Sequence, residues 1–163
     1  MQEQYYDETT IKDVVERMIE AWNHGDAIGF AAPFAEDADF IAFEGTHLRG
    51  RAEIVEFHQP LFDTVLKGTR LEGGVKFVRF VYPQVAVLHA WGTTTLGGQT
   101  NASPSRDSMQ LFVFTKHERG WLCDAMLNAR RITLAQQAFA DDFATLSAGD
   151  QREVTHRVAS MRH

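Results

Sequence analysis

The sequence predicts an α+β fold, with helices packed on one face of a curved antiparallel sheet. Up to about residue 66 the apolar residues mostly recur at helical spacing, and between residues 75 and 130 they alternate as in strands. The strands of the second region follow one another through short connections, which favours an antiparallel meander. A chain of 163 residues is long enough to bury a full core as one domain.

The first helix is the clearest element. Thr10, with Asp13 three residues later, resembles a capping box at its start, and Gly25 is suited to end it. Between them one apolar stripe recurs at helical spacing: Ile11, Val14, Val15, Met18, Ile19 and Trp22.

A short second helix and the first strand are expected next. Asp26 can cap a helix over residues 27–34, which Pro33 breaks. Residues 39–44 alternate around β-forming residues and predict a strand, and residues 45–50 predict a turn.

A third helix is predicted over residues 51–66. Pro60 should kink it, because proline removes a backbone donor and crowds the preceding turn. His58 lies on the apolar stripe of this helix. A histidine in such a place is more often part of a core than a functional group, and both interpretations stay open.

Four long strands with alternating apolar residues complete the predicted domain. They cover residues 75–81, 85–96, 108–116 and 121–130. The polar, glycine-rich segment 97–105 is expected to be the most mobile connection. Residues 132–163 carry two further helical patterns, so we place the domain at residues 1–131 and a C-terminal helical extension at 132–163.

The composition excludes several classes of function. A net charge of −6 argues against binding to nucleic acid and to anionic membranes. The seven histidines lack metal-binding spacing and there is no nucleotide loop, so no metal and no cofactor are expected. The single cysteine, Cys123, the absence of an apolar N-terminal segment and the absence of a spanning apolar run predict a cytoplasmic location.

Four short motifs occur in an order that resembles a known superfamily. They are Ala21-Trp22-Asn23-His24-Gly25-Asp26, Phe34-Ala35-Glu36-Asp37-Ala38-Asp39-Phe40, the glycine-flanked segment 45–54, and Gly120-Trp121 followed by Asn128. Together they resemble the nuclear transport factor 2-like, or SnoaL-like, superfamily over about residues 8–131, and the last motif is most similar to its SgcJ/EcaC subgroup. The resemblance implies a cystatin-like cone, in which a bent sheet wraps three helices around a deep, mostly apolar cavity.

The resemblance also argues against two known reactions of the superfamily. The tyrosine, aspartate base and protonated acid of the ketosteroid isomerases fall on Met18, Ala42 and Gln110, so ketosteroid isomerisation is not expected. The acid of the related dehydratase falls near Asn23, with its tyrosine at Trp22. An asparagine does not act as a general acid at neutral pH.

The last strand supplies one catalytic candidate. Strict alternation would put an apolar set on one face, and by the isomerase alignment the other set would face the cavity. The first set is Trp121, Cys123, Ala125 and Leu127; the second is Leu122, Asp124, Met126 and Asn128. Asp124 would then be a poorly solvated acid or base, although it could instead face solvent or a dimer partner.

His89 is the second catalytic candidate, because it lies beside Trp91 on the strand 85–96. Its alternative role is that of a core or interface histidine. The turn at 116–120 would pair Phe112 with Asp124, which places His89 and Asp124 two strands apart, roughly 10 Å at the backbone.

The expected partner is a small hydrophobic, cyclic molecule. Asn128 and Gln110 would orient its carbonyl or hydroxyl group, and His58 would border it. The wall would be formed by Trp22, Phe43, Trp91, Phe112 and Met126. An enzyme of this kind would transfer protons without a cofactor. The alternative is a non-catalytic binding or adaptor module. The apolar set that begins at Trp121 predicts a homodimer packed through the sheets.

Overall fold

The computed structural model describes residues 2–131 and Arg152. Three helices, α1 to α3, and six strands, β1 to β6, form one compact unit that ends at Arg130. The helices span Gln2–Asn23, Ala27–Ala31 and Gly50–Asp63. The strands span Phe34–Ile41, His47–Arg49, Arg70–Tyr82, Val85–Thr95, Ser108–His117 and Gly120–Arg130. The extension expected at 132–163 lies outside the described residues, apart from Arg152.

The predicted α+β class and curved sheet are confirmed. The six strands form one sheet in the order β2-β1-β6-β5-β4-β3. Neighbouring strands are antiparallel except β1 and β6, which pair in parallel. The parallel pair was not expected from the sequence, because it joins strands from opposite ends of the domain.

The first helix starts earlier than its predicted cap. Helix α1 begins at Gln2, so Thr10 lies inside it and donates its hydroxyl hydrogen to the carbonyl of Tyr6 over 2.9 Å. The predicted stop is confirmed, since Gly25 adopts a φ of 65° just after the helix. Asp26 caps α2 as expected, by accepting a hydrogen bond of 2.9 Å from the backbone of Gly29.

The first strand is displaced from its predicted position. Strand β1 starts at Phe34 directly after Pro33 and ends at Ile41, whereas the sequence suggested residues 39–44. Residues 45–50, expected as a turn only, include the short strand β2. Phe34 and Ala35 are buried in the core, which explains why the strand begins at Phe34 and not at residue 39.

Helix α3 begins where the chain passes very close to β1. Gly50 has a φ of 78°, and a Cβ atom on it would collide with the carbonyl oxygen of Glu36. The helix continues through Pro60 to Asp63, three residues short of the predicted end.

A β-bulge in β6 changes which face each of its side chains occupies. Val113 pairs with Ala125 and Phe114 pairs with Cys123, so Asp124 is an extra residue between the two pairs. The alternation therefore reverses at Asp124. The prediction that four apolar residues of β6 share the outer face is therefore wrong for the two that precede the bulge and right for the two that follow it. Trp121 and Cys123 lie on the core face, whereas Ala125 and Leu127 lie on the outer face.

The predicted pairing of Phe112 with Asp124 is also wrong. Phe112 pairs with Met126, because the turn holds only two residues and the bulge adds one. Cys123 is completely buried, and burial raises the pKa of its thiol, as expected of an unreactive cysteine. Within the described residues, no helix is long and apolar enough to cross a membrane.

Candidate functional site

A cavity of about 430 Å³ opens between the concave face of the sheet and the helices. Helix α1 supplies Met18 and Trp22 to its wall, and α3 supplies Phe57 and Leu61. The remaining apolar wall comes mainly from α2 and the strands: Phe30, Phe40, Ala90, Phe112 and Met126. The indole nitrogen of Trp22 donates to the hydroxyl of Thr69 over 3.1 Å, which leaves its ring as apolar surface toward the cavity.

His58 lies in an aromatic cluster on this wall. Its ring centroid is 4.7 Å from that of Phe30, 5.2 Å from that of Phe40 and 5.2 Å from that of Phe57. Only 5% of the residue is exposed. Because the neighbouring rings supply no hydrogen-bonding atoms, the polar chemistry of this part of the cavity depends on the imidazole.

The hydrogen bond of His58 indicates which ring nitrogen carries the hydrogen, and its burial indicates the charge of the ring. Nδ1 lies 2.8 Å from the carbonyl oxygen of Ile54, so the bond assigns the ring hydrogen to Nδ1. In the neutral ring, Nε2 then keeps its lone pair, and no described residue bonds to it. Burial lowers the pKa of His58, against the weaker effects of the Ile54 bond and the Glu44 charge. At neutral pH the ring is therefore an uncharged acceptor.

A polar strip follows β5 and β6 at another part of the wall. The amide nitrogen of Gln110 donates to Asn128 Oδ1 over 3.1 Å and to Ser108 Oγ over 2.8 Å. The Ser108 hydroxyl in turn donates to the carbonyl of Gly92 over 3.1 Å. Within the described residues, this network leaves Gln110 Oε1 as an acceptor and Asn128 Nδ2 as a donor for a molecule in the cavity.

Two arginines border the same cavity beyond this strip. Arg130 Nη1 donates to the carbonyl of Arg106 over 3.1 Å, and its guanidinium lies 4.2 Å from the centre of the Phe43 ring. Burial and the charge of Arg106 lower the pKa of Arg130, while Glu44 acts in the opposite direction. Arg106, Arg130 and Glu44 all line the cavity.

Eight of the ten residues selected from the sequence border this cavity. They are Trp22, Phe43, His58, Trp91, Gln110, Phe112, Met126 and Asn128. Trp91 does so only partly, since it is 41% exposed and its ring lies under the ammonium group of Lys76. The roles of these residues in binding stay predictions.

The two catalytic candidates lie elsewhere. The bulge turns Asp124 to the outer face, where its carboxylate accepts a hydrogen bond from Thr115 and lies 3.4 Å from His117 Nε2. His89 also lies on the outer face, with its ring centroid 5.4 Å from that of Phe77. The expectation that Asp124 and His89 face the cavity is therefore wrong.

Ser108, Arg106 and Arg130 were not selected from the sequence, although they line the cavity. Arg130 follows Asn128 by two positions, so alternation from Asn128 would have placed it on the cavity face. Arg106 lies just after the loop 97–105 and carries no comparable signal.

The family comparison agrees with this architecture. Residues 15–120 match the model of the SnoaL-like domain. The chain belongs to the SnoaL-like domain family. A comparison with curated proteins found no match.

Solved structures of other proteins show the same fold. A domain of unknown function with a cystatin-like fold from Nostoc punctiforme is 55% identical, over 96% of this chain and 97% of its own, with a TM-score of 0.81. A protein of unknown function from Mycobacterium tuberculosis is 20% identical, over 99% and 92%, with a TM-score of 0.70. An NTF2-like protein from Novosphingobium aromaticivorans is 18% identical, over 86% and 91%, with a TM-score of 0.66.

Proposed function

We propose that this SnoaL-like protein binds a small, mainly apolar molecule that contains a ring. The observation that carries the proposal is the cavity of about 430 Å³, which has the size of small-molecule sites in proteins. Its aromatic wall suits an apolar ring system. The free acceptor on Gln110 and donor on Asn128 suit one carbonyl, amide or hydroxyl group of that molecule.

Binding of 2-naphthamide, an uncharged bicyclic amide, tests this proposal by isothermal titration calorimetry. Ala90 is buried in the cavity wall, so Ala90→Leu fills part of the space and should weaken binding about tenfold or more. Ala52→Leu adds the same atoms at an exposed position of α3 and should leave the affinity unchanged. No heat of binding, or equal affinities for the two variants, would contradict the proposal.

Cofactor-independent proton transfer is a second candidate function, and the Nε2 atom of His58, to which no described residue bonds, favours it. A neutral imidazole in an apolar cavity can take a proton from a carbon next to a carbonyl group. The electron pair would move onto the carbonyl oxygen, held by the Nδ2 donor of Asn128, and the imidazolium would return the proton at another carbon. Proton transfer would require the His58 imidazole, whereas simple binding would not.

Base-catalysed ring opening of 5-nitrobenzisoxazole provides a substrate-independent test. In that reaction a base removes the proton from carbon, the nitrogen–oxygen bond breaks, and a cyanophenolate forms. We expect His58→Gln to remove the rate above buffer and His89→Gln, on the outer face, to retain it. If His58→Gln reacts as fast as the unaltered protein while both bind 2-naphthamide, the binding function stands and the catalytic one fails.

We also propose a homodimer, packed through the outer face of the sheet. Here one row of residues crosses all four long strands, and the backbone register pairs Phe77 with His89, His89 with Leu111, and Leu111 with Leu127. Three of these four side chains are large, apolar and about half exposed. Such a continuous apolar surface favours association.

Two finer assignments rest on sequence alone. The SgcJ/EcaC subgroup is proposed from Gly120-Trp121 and Asn128, and a cytoplasmic location from the single cysteine.

A further inference from the structure

We propose that the molecule bound in the cavity is an organic acid, whose carboxylate is held by Arg130 and Arg106. This inference rests on the proposed binding function and names the class of its ligand. It follows from the two arginines that line an otherwise mainly apolar cavity. None of the sequence motifs indicated these arginines.

Among the described residues, no ion pair neutralises Arg106 or Arg130. In the part of the chain that the structure describes, no carboxylate lies within 4.0 Å of either guanidinium group. Glu44 borders the cavity and acts on Arg130 through its charge, without forming an ion pair. Two guanidinium groups and one carboxylate leave one positive charge at this part of the wall.

Partial burial makes this positive charge significant. Removing a cation from water without a counter-ion is unfavourable, so cations that are withdrawn from water in proteins are normally paired with an anion. An anion in the cavity would supply the missing partner. A single uncompensated charge matches a carboxylate, which carries one negative charge, better than a phosphate monoester, which carries nearly two.

The geometry of Arg130 also suits a carboxylate. Its guanidinium is held from one side by the Phe43 ring and anchored at Nη1 by the carbonyl of Arg106. This arrangement orients the planar group before a ligand arrives. Guanidinium groups form paired hydrogen bonds with carboxylates in such settings, and charge-assisted bonds are stronger than neutral ones.

The test compares 2-naphthoate with 2-naphthamide, which have the same ring system and nearly the same shape but differ in charge. By isothermal titration calorimetry at neutral pH, we expect the unaltered protein to bind 2-naphthoate about tenfold or more tightly than 2-naphthamide. Arg130→Met should weaken the binding of 2-naphthoate far more than that of 2-naphthamide and so remove this preference. Arg130→Lys, which keeps the charge but not the planar donors, should retain only part of it.

Arg119→Met serves as the matched control, because Arg119 is exposed in the turn before β6 and removal of its charge changes the net charge equally. It should keep the full preference. Equal binding of both probes by the unaltered protein, or a preference that survives Arg130→Met, would overturn the organic-acid inference while the binding function stands. Binding of neither probe would overturn both.

Discussion

The burial and the hydrogen bonding of His58 together determine the charge of its ring. Its pKa lies below the ordinary value of 6.5 because of burial. A group whose pKa is lowered by folding takes up protons more readily in the unfolded chain. Its contribution to stability is therefore complete above about pH 6.5 and decreases as the pH falls through the lowered pKa.

The first prediction concerns the pH dependence of unfolding. Between about pH 7.5 and about pH 5, the free energy of unfolding should fall by more in the unaltered protein than in His58→Gln. The difference should be about 1.4 kcal/mol for each unit by which folding lowers the pKa. Urea unfolding at the two pH values measures it.

His24→Gln is the control for that measurement, since His24 is exposed at the end of α1. It should behave like the unaltered protein. The same loss of stability in His58→Gln and in the unaltered protein would show that the imidazole is not held neutral by the fold.

Asp124 yields the second prediction. Its carboxylate bonds to Thr115 on the outer face, away from the cavity. Asp124→Ala should lower the free energy of unfolding by about 1 kcal/mol, because that hydrogen bond is partly exposed. Asn128→Ala, four residues later and facing the cavity, should instead weaken binding of 2-naphthamide severalfold. Calorimetric titration of both variants compares the two effects, and weaker binding in Asp124→Ala would contradict the assignment of faces.

At the scale of single elements, the junction between β2 and α3 depends on one glycine. Gly50 combines a positive φ with close contact to the Glu36 carbonyl. The third prediction is that Gly50→Ala lowers the free energy of unfolding by about 2 kcal/mol or more, from backbone strain and the collision together.

Gly45 separates these two contributions. It has a φ of 94°, but a Cβ atom there would meet no heavy atom within 4 Å among the residues described. Gly45→Ala should therefore cost only the conformational term, about 1 kcal/mol. Urea unfolding should give Gly50→Ala a clearly lower free energy of unfolding than Gly45→Ala. The reverse order would refute the role given to the Glu36 contact.

Local patterns predicted most elements but not the face of every residue. The stripe of α1 and the alternation of the long strands are repeated over many residues, so they identified the sheet and most of the cavity wall. The bulge at Asp124 is set by the pairing of β5 with β6, which strict alternation does not include. It therefore reversed the predicted faces of Trp121, Cys123 and Asp124, whereas Ala125 and Leu127 lie on the outer face as predicted.

The start of α1 also could not be predicted from a local pattern. Thr10 has the sequence of a cap, yet α1 continues eight residues further toward the N-terminus. The salt bridge of 3.0 Å between Asp7 and Lys116 of β5 explains part of this extension, because it ties the first turns to the sheet. Such a long-range contact is not visible in a local motif.

At the scale of the whole molecule, the proposed homodimer assigns assembly to the outer face of the sheet. The fourth prediction is that light scattering in solution gives a mass of about twice the 18.4 kDa of one chain. Leu111 lies in the middle of the exposed row and is 46% exposed. Leu111→Glu would place a charge inside the interface, so it should yield a particle of one chain.

Ile28→Glu is the matched control for assembly. Ile28 is 71% exposed on α2, so the same charge there should leave the mass of the dimer unchanged. A single-chain mass for the unaltered protein at low micromolar concentration would refute the homodimer.

The parallel pairing of β1 with β6 has a consequence for how the chain reaches its native state. Strands β3 to β6 can assemble through contacts between sequence neighbours, whereas Ile41 must find Leu127 across most of the domain. Closing so long a loop costs chain entropy before the contact forms, and such non-local contacts slow folding. The meander should therefore organise first, and β1 should join it near the end of the folding reaction. Substitutions in β1 should then act chiefly on the rate of unfolding, and substitutions in the meander on the rate of folding.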